Sequence, residues 1–217
     1  MAQSTRRAQS HTRKASTRRP RLSKVSNARD ALADFSRGTE TYCLTFGQFS
    51  LFDAVEAVLD KTGPADVVVS TWTAASADLS RSAEFLRDQR IRAMRWLIDG
   101  SFLTRKPDYA STIVDLFGAG AIRTLGTHAK FVLITNETWH VVIRTSMNLN
   151  ENRRLENIEV TDDPDFAAFM LGIVDELFAE LPAADLRSQA LPTLDGVDQI
   201  LPVAQLAMGH GVKMGAR

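Results

Sequence analysis

The chain has 217 residues, enough for one domain with a full hydrophobic core. An apolar content of 44% and a charged content of 24% are those of an ordinary globular protein, and no apolar run reaches the roughly 18 residues that would predict a transmembrane helix. The formal net charge of zero conceals an asymmetry: nine of the 26 Lys and Arg lie in residues 1–29, which hold no Asp or Glu, leaving 17 basic against 26 acidic groups on the rest, a net of −9. A basic arm on an acidic body predicts a polyanion partner for the arm. One cysteine, Cys43, excludes an internal disulfide and a cysteine-rich metal site. It lies in the apolar run Tyr42–Phe46, so a buried thiol and a reducing, cytoplasmic setting are expected. No apolar run follows the early arginines, so no secretory signal is expected, and the arm lacks the apolar face of a transit peptide.

Residues 1–28 are polar and charged and read as a disordered basic arm. A short helical lead-in is expected at 29–37, then a strand at Tyr42–Phe46. Ser50 has the chemistry of an N-cap, and Leu51, Phe52, Val55, Val58 and Leu59 recur at helical spacing up to about Lys61. Gly63-Pro64 ends that helix. A buried strand follows at Asp66–Thr71, a helix at Ala77–Gln89 and a strand at Met94–Ile98, closed by Asp99-Gly100. Tyr109–Phe117 reads as a helix and Ala121–Thr124 as a short strand. Two strands, Ala129–Ile134 and Trp139–Ile143, are joined by the turn Asn136-Glu137-Thr138. Ile158–Thr161 is a further strand, and Pro164 opens a last helix over Asp165–Glu180. Alternating strands and helices predict an α/β sandwich with a mixed central sheet and flanking helices over residues 29–181. Residues 182–217 read as a loosely structured tail, with a short helix possible near 195–207.

The chemistry concentrates between His128 and Glu159. His128 and Lys130 stand two apart on a predicted strand, so the strand period puts them on one face. Ser146 and Asn148 leave the next strand with the same spacing, and Glu159 follows eleven residues later. An imidazole, an ammonium, a hydroxyl and an amide are thereby brought together, with a carboxylate to orient the imidazole. That set suits attack on a phosphodiester without a metal. An imidazole is a competent nucleophile near neutral pH, and a partner on its second nitrogen fixes its tautomer. Lys130 and Asn148 would hold the non-bridging oxygens, and Ser146 would orient or donate. No H-E-x-x-H and no Cys/His ligand cluster is present, so neither metal nor other cofactor is expected.

The stretch THAKFVLITNETWHVVIRTSMNLNENRRLENIEV, residues 127–160, resembles one copy of the phospholipase D-like motif: H-x-K-x4-D, then G-S-x-N and a later Glu. It is most similar to the small single-motif members, which include bacterial nucleases and phage-encoded proteins. The resemblance implies the phospholipase D-like fold over roughly residues 40–181. It also implies a phosphohistidine intermediate on His128. A complete site in that family needs two histidines, one to attack and one to protonate the leaving oxygen. A single-motif chain is therefore expected to work as a homodimer. Two positions depart from the pattern: the family's Asp falls at Thr135, and the Gly before the family's Ser is Thr145.

Composition favours nucleic acid among the diesters. Arg6, Arg7, Arg13, Lys14, Arg18, Arg19, Arg21 and Lys24 of the arm can neutralise phosphates, and Arg153 and Arg154 follow Asn148 closely enough to touch substrate. The first expectation is a metal-independent phosphodiesterase, a DNA or RNA nuclease. The alternative is a nucleic-acid-binding protein on a catalytically degenerate scaffold. A phospholipid hydrolase or transferase is a minor reading, because no interfacial amphipathic helix is evident. His140 is expected to be a solvated or packing histidine, and Arg105-Lys106 a solvated loop. Trp72, just after a strand, is expected to cap the core, with stacking on a base as the alternative.

Overall fold

The computed structural model describes residues 9–12, 27–102, 107–150 and 153–184, with only the backbone given for 107–110. The account below concerns the compact unit His11–Pro192. Seven strands form one mixed sheet: β1 (Glu40–Thr45), β2 (Ala65–Thr71), β3 (Ile91–Asp99), β4 (Ile122–Leu125), β5 (Phe131–Thr135), β6 (His140–Thr145) and β7 (Glu156–Asp162). Their order is β1-β7-β6-β5-β2-β3-β4. β2, β3 and β4 run parallel, while β5, β6, β7 and β1 pair antiparallel with their neighbours. The helices are α1 (Ala28–Ala31), α2 (Leu51–Thr62), α3 (Ser76–Arg87), α4 (Pro107–Phe117) and α5 (Pro164–Glu180).

Strand alternation sorts the sheet into two faces. Val67 and Val69, Trp96 and Ile98, Val132 and Ile134, Val141 and Ile143, and Ile158 and Val160 join one core with Leu51, Phe52, Val55 and Val58 of α2, Leu79 of α3 and Ile113 of α4. The opposite face buries Val68, Leu97, Leu133 and Val142, and Phe166, Val174 and Leu177 of α5 are buried too. Burying aliphatic side chains at roughly 1.5–3 kcal/mol each makes this two-sided arrangement the main favourable term.

The helix boundaries follow local chemistry. Ser50 and Asp53 form a capping box: the Ser50 hydroxyl accepts from Asp53 N–H at 3.1 Å, and the Asp53 carboxylate accepts from Ser50 N–H at 2.8 Å. Gly63 stops α2 at φ 71°, a left-handed conformation that favours glycine. Asp163 caps α5, and Pro164 occupies its first turn. Arg29 of α1, Arg81 of α3 and Arg90 of the turn after α3 bridge Asp53, Glu56 and Asp60 of α2.

Some expectations shift. The lead-in helix is only Ala28–Ala31, and β5 starts at Phe131, so His128 and Lys130 lie in the segment entering it. Cys43 is half-buried at the margin of the core, and burial pushes its thiol pKa up, away from the reactive thiolate form. His11, assigned from sequence to a structureless arm, stacks on Phe166 and Phe169 of α5 with ring centroids 5.4 and 5.5 Å away. The arm's other basic residues, the expected 195–207 helix and Arg105-Lys106 lie outside the described residues. Among the described residues, no helix is long and apolar enough to cross a membrane.

Candidate active site

The carboxyl ends of β2 and β3 and the amino end of β5 meet at one edge of the sheet, where α/β folds place their ligands. His128 reaches this edge on the β4–β5 loop. Three bonds fix that loop: Asp99, last residue of β3, accepts from Thr127 N–H at 3.0 Å; the Thr127 hydroxyl accepts from Ala129 N–H at 3.1 Å; and the Ser70 hydroxyl donates to Ala129 C=O at 2.8 Å. His128 is exposed. The Lys130 ammonium lies 3.4 Å from its Nδ1 and 3.5 Å from its Nε2, and donates to the His128 carbonyl at 3.1 Å. The imidazole and the ammonium are therefore adjacent, although both residues precede β5 instead of sharing a face of it.

The S-x-N segment arrives from the end of β6 and is stitched to the loop after β2. Leu149 N–H donates to Thr73 C=O at 3.3 Å, and Ala75 N–H donates to Leu149 C=O at 2.7 Å. Trp72 lies in that loop, and its ring centroid is 6.1 Å from that of His128. Asn148 is half-buried, with Oδ1 shielded from solvent and lacking a hydrogen-bond partner. The two ends of such an amide exchange by a flip, so either its oxygen or its N–H can face the unsatisfied position.

Ser146 and Glu159 have structural partners. The Ser146 hydroxyl donates to the Glu156 carboxylate and accepts from Asn157 N–H at 3.0 Å, which locks the start of the Asn148 segment to β7. Glu159 is buried and forms an ion pair with Arg144. It alternates with Ile158 and Val160 of the α2-side core, so it looks to the opposite face. Lys130 has the parity of Val132 and Ile134 and looks to the α2 side. His128 thus meets Lys130 and Trp72, whereas Glu159 pairs with Arg144. Arg153 and Arg154 are exposed in the loop leading to β7, near the same sheet edge. His140 begins β6, at the far end of the sheet, in keeping with a packing role.

The two departures from the motif have local explanations. Thr145 donates its hydroxyl to Asn157 C=O at 2.6 Å and accepts from Met147 N–H at 2.9 Å, so it shapes the turn that presents Asn148. Beside Thr135, the Asn136 amide donates to Thr62 and Pro64 carbonyls at 3.0 and 3.2 Å. Its oxygen accepts from Thr138 and Trp139 N–H at 2.9 and 2.8 Å. Sequence reading missed Asp99 as a positioning residue; its place at the end of a parallel strand was the available signal.

No family model matches the chain, and no curated protein does. Solved structures do. NucT from Helicobacter pylori superposes with a TM-score of 0.50 at 13% identity, covering 67% of this chain and 100% of that one. Nuc from Salmonella typhimurium, a phospholipase D family member, gives a TM-score of 0.49 at 16% identity, covering 67% of this chain and 99% of that one. The chain has the phospholipase D-like fold. The fold fixes where the motif segments meet; the side chains gathered there decide what the edge can do.

Proposed function

We propose that this phospholipase D-like protein is a metal-independent phosphodiesterase, a nuclease, whose site is completed by a second copy of the chain. The observation that carries the reading is the exposed His128 imidazole with the Lys130 ammonium 3.4 Å away, at a sheet edge shared with the Asn148 segment. His128 attacks phosphorus and forms a phosphoimidazole bond as the P–O bond to the leaving alcohol breaks. A proton donor neutralises the departing alkoxide, and water then attacks the phosphorus, releasing phosphate monoester and free imidazole. Lys130 and an amide N–H of Asn148 hold the non-bridging oxygens as charge grows on them. Ser146 acts by fixing the Asn148 segment.

Among the described residues one histidine, His128, stands at the site, and the reaction uses two. A second copy supplies the proton donor. Tyr42, Leu44 and Phe46 of the β1 edge and Leu155 before β7 are 49–65% exposed. Tyr42 stands opposite Glu159 in the register, so this apolar stripe borders the Glu159 face. A copy packed there would cover large apolar side chains. Nucleic acid is the favoured diester, with the arm's cations and Arg153 and Arg154 drawing the polyanion in.

The test is cleavage of labelled single- and double-stranded DNA and RNA in excess EDTA, by wild type and His128→Ala. Cleavage lost in the variant supports the reading. Binding without cleavage by either protein overturns it in favour of a degenerate binding protein, and cleavage of phospholipid alone would reassign the substrate.

A further inference from the structure

The segment after β6 carries a second amide beside Asn148. From Met147 to Asn150 burial alternates: Met147 and Leu149 are buried in the α2-side core, while Asn148 and Asn150 are each half-buried. That is the period of an extended chain. Leu149 is pinned in that form. Its N–H donates to Thr73 C=O at 3.3 Å, its C=O accepts from Ala75 N–H at 2.7 Å, and it forms a parallel bridge with Ala74. Asn150 therefore projects on the same side as Asn148. Among the described residues, the solvent-shielded side-chain polar atoms without a hydrogen-bond partner are on His11, Trp96, His140, Asn148 and Asn150. The first three lie on separate elements, but Asn148 and Asn150 are neighbours on one side of one segment. Folded proteins seldom leave such atoms unmatched, so two amide oxygens unmatched side by side at the active-site edge point to one cause.

We propose that Asn150 binds a non-bridging oxygen of the phosphate next to the one that His128 attacks, so that the site takes a polynucleotide in preference to an isolated diester. The inference rests on the phosphodiesterase reading, in which Asn148 serves the reacting phosphate, and adds a second phosphate to what is recognised. Two residues of extended chain cover about 6.6 Å. They contain six backbone bonds, and six backbone bonds also separate one phosphorus from the next in a nucleic-acid strand, so the two repeats have similar spans. A strand with one phosphate at Asn148 thus brings a neighbouring phosphate to Asn150. An amide flip turns the N–H end toward the ligand. An N–H donated to a charged phosphate oxygen makes a stronger bond than one between neutral groups. Pinning of Leu149 fixes the separation of the two amides, which lowers the ordering needed when the strand arrives. A diester with a single phosphate gains nothing from Asn150.

The experiment compares two thymidine 12-mers in EDTA, for wild type, Asn150→Ala and Asn150→Asp. One strand has three successive phosphates at its centre and uncharged methylphosphonates elsewhere; in the other only the central phosphate remains. Cleavage at the central linkage is scored. Asn150→Ala should lower kcat/KM on the three-phosphate strand by roughly ten- to a hundredfold, the value of one hydrogen bond to a charged group, and far less on the one-phosphate strand. Asn150→Asp sets a carboxylate against the second phosphate and should lower the first value further. Equal losses on both strands, or no loss on either, would overturn the proposal; the second result is the one expected if a bound water alone matches the amide. The same strands are also titrated by fluorescence anisotropy onto His128→Ala and His128→Ala/Asn150→Ala. If no protein cleaves, the phosphodiesterase reading fails, and binding still decides the role of Asn150: a preference for the three-phosphate strand that falls with Asn150 supports it, and an unchanged preference refutes it. Circular dichroism checks the fold of each variant, and Asn150→Asp, matched in size to asparagine, decides the matter if Asn150→Ala does not fold.

Discussion

Arg144 lies directly opposite Glu159 in the β6–β7 register, and the two side chains form an ion pair beside Phe166, whose ring stands 5.2 Å from the guanidinium. The carboxylate is 11% exposed at its side chain and the guanidinium 46%, so the pair is buried at its acidic end only. Its coupling should fall between surface and buried values, about 0.5–1.5 kcal/mol. A double-mutant cycle of Arg144→Ala and Glu159→Gln, read by urea denaturation, should return that coupling. A value indistinguishable from zero would remove Arg144 as the group that holds Glu159 in place.

The α2 capping box has a pH signature. Burial alone would raise the Asp53 carboxyl, but the Ser50 N–H and the Arg81 guanidinium outweigh it and hold the pKa below the usual value. A depressed carboxylate stabilises the fold above its unfolded pKa of about 4, and that contribution fades as pH falls through the lower folded value. The stability gap between wild type and Asp53→Asn should be constant from pH 7 to about 5 and should close below pH 4. Ser50→Ala should cost about 1 kcal/mol at pH 7. A gap that widens in acid would contradict the assigned direction.

Much of this fold was legible because its signals are local. The Ser50 cap, the apolar rows of α2 and α5 and the Val67–Val69 run each state their element without reference to the rest of the chain. The motif spacing likewise placed His128 beside Lys130. The surroundings of each side chain were not legible, since they come from segments distant in sequence. Glu159 meets Arg144 through strand register, Trp72 meets His128 through the stitching of two loops, and Thr127 is held by Asp99 from 28 residues away. His11 is the sharpest case: composition marks its segment as polar, yet two phenylalanines of α5 receive its ring.

Restoring the motif's Asp should harm this chain. Thr135 pairs across the sheet with Asp66, so Thr135→Asp would set two carboxylates on directly opposed positions. The nearby Arg92 guanidinium is already engaged by the exposed Glu137 carboxyl, which it holds down to about 2. Thr135→Asp should lose roughly 0.2–1 kcal/mol, most at low salt, by urea denaturation at two ionic strengths. Asn136→Ala, which removes four hydrogen bonds from the hairpin, should lose more, about 1–3 kcal/mol. A stabilising Thr135→Asp would mean that the motif's carboxylate has a partner here beyond Asn136's reach.

The apolar β1 edge gives the dimer its own test. Leu44 is 53% exposed, so Leu44→Asp removes little packing and should change monomer stability by no more than about 0.5 kcal/mol. In a two-fold contact the same carboxylate enters the interface twice, where charged groups are disfavoured. Sedimentation equilibrium should therefore find wild type as a dimer and Leu44→Asp as a monomer, with EDTA-resistant cleavage lost alongside and the circular dichroism spectrum unchanged. Because the substitution lies on the stripe and leaves His128 and Lys130 untouched, joint loss of dimer and cleavage would tie activity to assembly. A wild-type protein that cleaves while monomeric would instead require the proton donor to come from within one chain.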